Sequence, residues 1–361
     1  MDTADFDYDL PADRIAQQPV EPRDSARLLV DRGPGCPPAD RVVADLPSLC
    51  GPGDVVVVND TRVLPARLRL RRAGTGGAVE ALLLEEVGER TWEALLRPSR
   101  RVRPGDLLVR QGLGVEVVAR TGEGRWQLRF AGPEPVLKVL ARHGEVPLPP
   151  YVTEALEDPE RYQTVFARRP ASAAAPTAGL HLTPAVLEAL EARGATVARL
   201  ELVVGLATFR PITAERVEDH VMHEEAYHLP PETVAALLGA RRVTAVGTTV
   251  VRALEAWAAT GQERGRTDLF IRGDHPFGVV DRLLTNFHVP RSSLLVLVEA
   301  FVGPRWRDLY ACALERGYRF LSFGDAMLLE RRRAAPAAGP PGAAAHAGGA
   351  SSVSGRAREA R

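Results

Sequence analysis

Five short polar clusters stand out by residue type: Asn59-Asp60-Thr61-Arg62, Pro176-Thr177-Ala178-Gly179-Leu180-His181, Gly247-Thr248-Thr249, Thr285-Asn286-Phe287-His288 and Gly324-Asp325. In open α/β sheets, polar residues just past strand ends line the ligand crevice. One such cluster is ordinary turn and cap chemistry; five together predict one site. Gly247-Thr248-Thr249 puts hydroxyls and N–H groups at a helix N-terminus, a setting that suits a carboxylate or phosphate. It is not a P-loop, because the GxxxxGK[ST] spacing is absent. Residues 218–225 (EDHVMHEE) bring four carboxylates and two imidazoles together. His220 and His223 share a face if this stretch is helical. A carboxylate beside an imidazole orients and tunes a proton-transfer group, so an acid/base or substrate-binding cluster is expected, alongside the plainer reading of a solvated acidic turn. HExxH is absent, and no metal is expected.

Two arginine-rich stretches, RLRLRR (67–72) and RPSRRVR (97–103), add a different chemistry. Residues two apart on a strand face the same way, about 6.6 Å from one another. That spacing nearly matches successive phosphates of a nucleic-acid strand, so Arg67, Arg69 and Arg71, with Arg100 and Arg101, are candidate RNA contacts. A solvated edge strand guarded by charge fits the same residues equally well.

Positioning such groups requires regular elements. DVVVVND (54–60) reads as a buried strand. Thr183-Pro184 is an N-cap with Pro at the first helical position, VLEALEA continues the helix, and Gly194 stops it. TVARLELVVG is the next strand. ARRVTAVG is another, and TTVVRALEAWAAT opens as a helix directly after it. SSLLVLVEAFVG is apolar all round and reads as a buried helix. Between residues 63 and 149, short strand-like runs alternate with GTGG, RPG, QGLG and TGEG turns, the pattern of a small antiparallel barrel. The expected fold class is therefore α/β: a main domain from residues 1–62 and 150–330, interrupted by a barrel at 63–149. The Ala-, Gly- and Pro-rich residues 331–361 have little to bury and are expected to be a disordered tail.

Composition narrows the function classes. Of 361 residues, 46 are basic and 46 acidic, so the net charge is zero, which argues against indiscriminate coating of nucleic acid. Residues 63–149 hold 15 basic against 10 acidic side chains, a local excess of five. Cys36, Cys50 and Cys312 form no CxxC pair, which fits a reducing cytoplasm better than a disulfide framework. The opening MDTADFDYDL lacks the pattern of a signal peptide, and the longest apolar stretch is half a membrane span. A cytoplasmic protein without membrane partners, acting as a monomer, is expected.

Taken together, the motifs resemble one family. IAQQPVEPRDSARLLV (15–30), VVNDTRVLPARL (57–68), RPSRRVRPGD (97–106), VPLPPYV (146–152), RYQTVFA (161–167), APTAGLHL (175–182), VEDHVMHEE (217–225), AVGTTVVRALE (245–255), TNFHVPRSSLLVLVEAFVG (285–303) and YRFLSFGDAM (318–327) are similar to those of the S-adenosylmethionine:tRNA ribosyltransferase-isomerases of queuosine biosynthesis, the QueA family. The resemblance implies an α/β domain with an inserted β-barrel. It implies transfer and isomerisation of the ribosyl group of S-adenosylmethionine onto 7-aminomethyl-7-deazaguanine at the tRNA wobble position, with adenine and methionine released. The partner implied is a tRNA with a GUN anticodon, S-adenosylmethionine is the co-substrate, and no prosthetic group is expected. A paralogue acting on a free deazapurine, and an inactive RNA-binding scaffold, are the alternatives.

Such a reaction sets two proton-transfer tasks, at the ribose CH₂ beside the sulfonium and at the departing adenine. His181 and His220, the latter beside Asp219, are the candidate pair, with His288 and Asp325 as alternates. Asp60, Arg62, Thr177, Gly179 and Asn286 are candidate substrate-positioning residues. Gly247, Thr248 and Thr249 suit the methionine carboxylate, and Arg252 one turn later is expected to pair with it. Where the family has His, Gly, Phe, Ser and Ser, this chain has Val203, Ala207, Leu182, Val250 and Glu299, and Glu299 is expected inside the apolar helix.

Overall fold

In chain order the first strands are β1 (Arg27–Val30), β2 (Ala39–Val42), β3 (Asp54–Asn59), β4 (Arg62–Val63), β5 (Arg67–Arg72), β6 (Ala78–Gly88), β7 (Thr91–Arg97), β8 (Leu107–Arg110) and β9 (Leu113–Gly122). They continue as β10 (Arg125–Phe130), β11 (Pro170–Ser172), β12 (Thr196–Leu202), β13 (Glu225–His228), β14 (Arg242–Val246), β15 (Arg264–Thr267), β16 (Arg282–Asn286) and β17 (Ala326–Glu330). The helices are α1 (Val136–His143), α2 (Pro184–Ala192), α3 (Pro231–Leu238), α4 (Thr248–Thr260), α5 (Ser293–Val302) and α6 (Trp306–Glu315). This computed structural model describes residues 1–122, 124–205 and 211–332.

Four consecutive valines, Val55 to Val58, explain the central layer. A strand that reads as an unbroken β-branched run must be covered on both faces, and all of β3 is buried. Among the described residues the main sheet has nine strands in the order β15-β13-β12-β3-β14-β16-β17-β1-β2. β12, β3, β14 and β16 run parallel, and β17 returns antiparallel to β16. Alternate residues divide between two cores, as the two-residue period requires. Val55, Val57, Ala245 and Leu283 join residues of α4, α5 and α6 on one face. Val56, Val58, Val246 and Leu284 join Val186 and Leu190 of α2 on the other.

Residues 67–130 supply a closed barrel, order β10-β7-β6-β5-β8-β9, with antiparallel pairings. Its interior holds Leu68, Leu70, Val79, Trp92, Val115 and Leu128, and α1 adds Val139 and Leu140. The mixed α/β fold and the barrel agree with the sequence reading. The Thr183 hydroxyl caps α2 by accepting from the Val186 N–H at 3.2 Å. Three details differ. Only Glu218 and Asp219 of the 218–225 cluster are helical, in the single 3₁₀ turn Val217–Asp219, and β13 begins at Glu225. Arg331 belongs to the ordered unit, Met1–Arg331, and its guanidinium donates to the Phe277 carbonyl and to Asp281. Glu299 is half-buried as a residue, although its Oε2 atom is enclosed as expected. The expected tail beyond residue 332 and Ala207 lie outside the described residues. Cys36, Cys50 and Cys312 are free thiols.

Candidate active site

The parallel run of β3, β12, β14 and β16 delivers four C-terminal ends to one edge of the sheet. β17 is antiparallel to β16 with Asn286 opposite Ala326, so Asp325 arrives at the same edge. β13 pairs Tyr227 with Leu202, which carries Glu225 past the end of β12. Asn59 closes β3 there: its side chain exchanges two hydrogen bonds with the backbone of Leu202, at 2.9 and 3.1 Å, and lies 3.4 Å from the Thr249 hydroxyl.

Gly247 joins β14 to α4 with φ +96°, a left-handed conformation that favours glycine, and gives the helix no side-chain cap. Thr248 and Thr249 therefore stand at an open helix N-terminus. They line a recess of about 30 Å³ with His220, His223, Glu225, Arg252 and Phe270. His223 and Glu225 also line an adjoining crevice of about 590 Å³. One wall of that crevice is the barrel (Glu85, Trp92, Glu93, Arg125), and the other is the sheet edge (Val203, Gly205, Ala226).

The Glu225–Arg252 ion pair is buried, with side chains 6% and 7% exposed. Its other bonds are all internal. Glu225 accepts the Gly205 N–H at 2.8 Å. Arg252 donates to the carbonyls of Leu269 at 3.0 Å and Thr267 at 3.2 Å. Arg252, expected to bind a ligand carboxylate, is instead committed to holding the segment that carries Phe270. The His220 ring packs edge-on against Phe270. Burial, and then the neighbouring His223 imidazole, hold its pKa below the ordinary value, which favours a neutral ring able to accept a proton.

A second polar group occupies the neighbouring strand end. His181 ends the 3₁₀ turn Thr177–His181 and is 4% exposed. Asn286 Nδ2 lies 2.9 Å from His181 Nε2 and 3.1 Å from the Leu321 carbonyl. The carbonyl fixes the amide orientation, so Nε2 accepts and the ring proton is on Nδ1. Burial and the nearby Arg319 and Arg23 lower its pKa to about 4. His181 lines a separate small pocket with Arg23, Arg161 and Ser322. Gly179, in the same turn, is a packing residue: a Cβ there would lie 2.8 Å from the Phe166 ring and 3.0 Å from the Thr164 methyl. Thr177 begins this turn and is half-buried.

The remaining candidates fall elsewhere. His288 is buried behind Tyr8 and Tyr310, with Nε2 2.9 Å from the Thr285 hydroxyl, and burial lowers its pKa to about 3. Asp325 accepts backbone N–H bonds from Arg27 at 3.0 Å and Arg319 at 2.8 Å, tying β1 to the turn before β17. Neither residue lines the recess or the crevice. Asp219 is exposed, and no hydrogen bond joins it to His220 among the described residues. Asp60 sits 3.7 Å from Arg168, its pKa raised by burial, and Arg62 pairs with Glu160. Both flank the strand end without lining the recess or the crevice.

The arginine ladder is split. Arg67 and Arg69 line a groove of about 1100 Å³ formed with residues 144–159, and Arg69 Nε pairs with Glu145 at 2.9 Å. Arg71 donates to the Gly76 carbonyl at 3.0 Å, and Arg100 and Arg101 are exposed on the turn after β7. Among the family departures, Val203 lines the crevice, while Leu182 and Val250 pack in the two cores. No three His, Cys, Asp or Glu side chains among the described residues come together in a group that could hold a metal ion. No described helix is long and apolar enough to cross a membrane.

A crevice between the carboxyl edge of the sheet and the barrel, with a polar recess at the start of α4, is the arrangement of an α/β protein in which small molecules bind at strand ends. The chain belongs to the queuosine biosynthesis protein family, whose model matches residues 3–329. It is 52% identical over 331 residues to the S-adenosylmethionine:tRNA ribosyltransferase-isomerase of Rubrobacter xylanophilus, covering 91% of this chain and 98% of that protein. The enzyme of the same name from Moorella thermoacetica is 50% identical over 341 residues, 91% of this chain and 100% of its own. The crystal structure of S-adenosylmethionine tRNA ribosyltransferase from Thermotoga maritima superposes with a TM-score of 0.52 at 36% identity, covering 90% of this chain and 99% of that one.

Glu225 is a residue of the site that the sequence reading passed over, although it lay inside the EDHVMHEE cluster. Its signal is topological: it is the first residue of a strand that pairs with the end of β12. Phe270 carried no local signal at all.

Proposed function

We propose that this chain transfers and isomerises the ribosyl moiety of S-adenosylmethionine onto 7-aminomethyl-7-deazaguanine at the wobble position of tRNAs with a GUN anticodon. Epoxyqueuosine-tRNA, adenine and methionine are the products. The observation that carries this reading is near-complete coverage of relatives of that name at about half identity, by a chain in which His223 and Glu225 line both a crevice against the barrel and the recess that holds Thr248 and Thr249. S-adenosylmethionine is the co-substrate, with no prosthetic group, and the protein acts as a cytoplasmic monomer.

The crevice has the volume of a small-molecule site, whereas the recess admits only the end of a ligand. The methionine carboxylate of the donor is placed at Thr248 and Thr249, where the N-terminus of α4 favours an anion. His220, neutral and beside them, is the base that takes the proton from the ribose CH₂ next to the sulfonium. Adenine leaves from the sugar with a proton or hydrogen bond, a task assigned to His181 on its motif although it lines a pocket separate from the crevice. The acceptor amine then bonds to the sugar with loss of a proton, and a sugar oxygen displaces the methionine sulfur from carbon as the epoxide closes. Arg67, Arg69, Arg71, Arg100 and Arg101 are assigned to the tRNA backbone, and Asp60, Arg62 and Asn286 hold the strand ends in place.

The test is to incubate the protein with S-adenosylmethionine and either precursor tRNA or the free base, following adenine by chromatography. Adenine release with tRNA alone, lost in His220→Ala, is the expected result. Release with the free base alone would transfer the reading to a small acceptor, and none with either would overturn it.

A further inference from the structure

His223 lines both the recess and the crevice, yet it sits on residues 221–224, which have no regular structure. A ring on such a segment keeps one orientation only if something outside the segment holds it. The barrel supplies the holder. Arg125 of β10 places Nη2 3.3 Å from His223 Nδ1. Its Nη1 donates to Glu93 Oε2 of β7 at 2.7 Å, and Glu93 Oε1 accepts the Thr121 hydroxyl of β9 at 3.1 Å. The relay thus crosses three adjacent barrel strands before reaching the sheet domain. Guanidinium nitrogens only donate, so His223 Nδ1 accepts and its proton is on Nε2. The crevice-lining side chains Glu93 and Arg125 have no spare role in the barrel interior, since the core there is apolar.

We infer that Glu93 and Arg125 are positioning residues that hold the His223 imidazole as an Nε2–H donor at the crevice, coupling the barrel to the site on the sheet. The ligand atom it serves is an acceptor oxygen of the bound nucleoside. This rests on the ribosyl-transfer reading for its consequence in turnover, and it has its own readout besides.

Two measurements test it. Imidazole nitrogen NMR, with His223 assigned through His223→Gln, reports the tautomer in the protein without substrate. The wild type is expected to show the Nε2–H form, and Arg125→Ala a mixture; the same spectrum in both would overturn the inference even if no turnover were seen. Steady-state adenine release is then measured for Arg125→Ala, Arg125→Lys, His223→Gln and the double variant. Outer-shell partners of metal-ligating histidines are worth about 10–100-fold, and the low end of that scale is the expectation for an imidazole that serves as a hydrogen-bond donor. Arg125→Ala should lower kcat by about tenfold with KM for tRNA unchanged, Arg125→Lys should recover part of it, and the double variant should be no worse than His223→Gln alone. A raised KM for tRNA with kcat intact, additive with His223→Gln, would make Arg125 a phosphate contact and overturn the proposal. A fall in melting temperature that accounts for all lost activity would do the same.

Discussion

Exchanging Glu225 for Gln keeps the shape of the side chain and removes the charge that Arg252 faces. Both residues are buried, at 6% and 5% exposure. Removing one partner of a buried ion pair costs about 3–5 kcal/mol, because the other charge stays inside unpaired. Arg252 keeps the Leu269 and Thr267 carbonyls, which puts the variant at the lower end, about 3 kcal/mol. Unfolding entropy near 2.1 cal/mol/K per residue gives the unit Met1–Arg331 about 0.7 kcal/mol/K, so the melting temperature should fall by about 4 °C. Replacing both partners, as E225L/R252M, removes the unpaired charge and should recover most of that loss. Activity should not return with it, since the double variant loses the bonds to Gly205 and to the Phe270 segment that Glu225→Gln can keep. Calorimetry of the three proteins, with adenine release measured on the same samples, decides the matter. A Glu225→Gln melting temperature within about 1 °C of wild type, or a double variant less stable than the single, would refute the reasoning.

Acid should weaken the fold earlier than carboxylate titration alone requires. His181 and His288 have folded pKa values of about 4 and about 3 against an ordinary 6.5, so the unfolded chain binds protons first. Their contribution is complete above pH 6.5 and is lost as pH falls from there towards 4, at about 1.4 kcal/mol per pH unit for each; denaturant midpoints unchanged between pH 7 and 5 would contradict this. His181→Ala should abolish adenine release and also cost about 2 kcal/mol, since it leaves a cavity and an unpaired Asn286 donor bond; normal turnover would remove His181 from the reaction. Charge reversal at Arg69 and Arg71 should raise KM for tRNA and leave S-adenosylmethionine binding alone, with the tRNA effect shrinking as salt rises; an equal change for both substrates would mean a structural role.

Much of the scaffold was legible in the linear chain because local chemistry dictates it. A run of four valines can only be a covered strand, Thr183-Pro184 can only open a helix, and Gly-rich turns at short spacing must fold strands back on each other. Four of the five polar clusters were legible as flanking main-sheet strands, and the parallel strands bring three of them to one edge, whereas Thr177–His181 is a 3₁₀ turn away from any strand end. Which groups then face a ligand was not written locally. Asp325 and His288 look reactive in sequence, but residues hundreds of positions away supply the backbone N–H groups and aromatic rings that enclose them. Arg252 looks like a free cation until β13 brings Glu225 against it. His223 acquires its orientation from Arg125, 98 residues earlier. Periodicity and capping are set by neighbours along the chain, whereas burial, proton position and charge pairing are set by neighbours in space, and only the packing of barrel against sheet decides those.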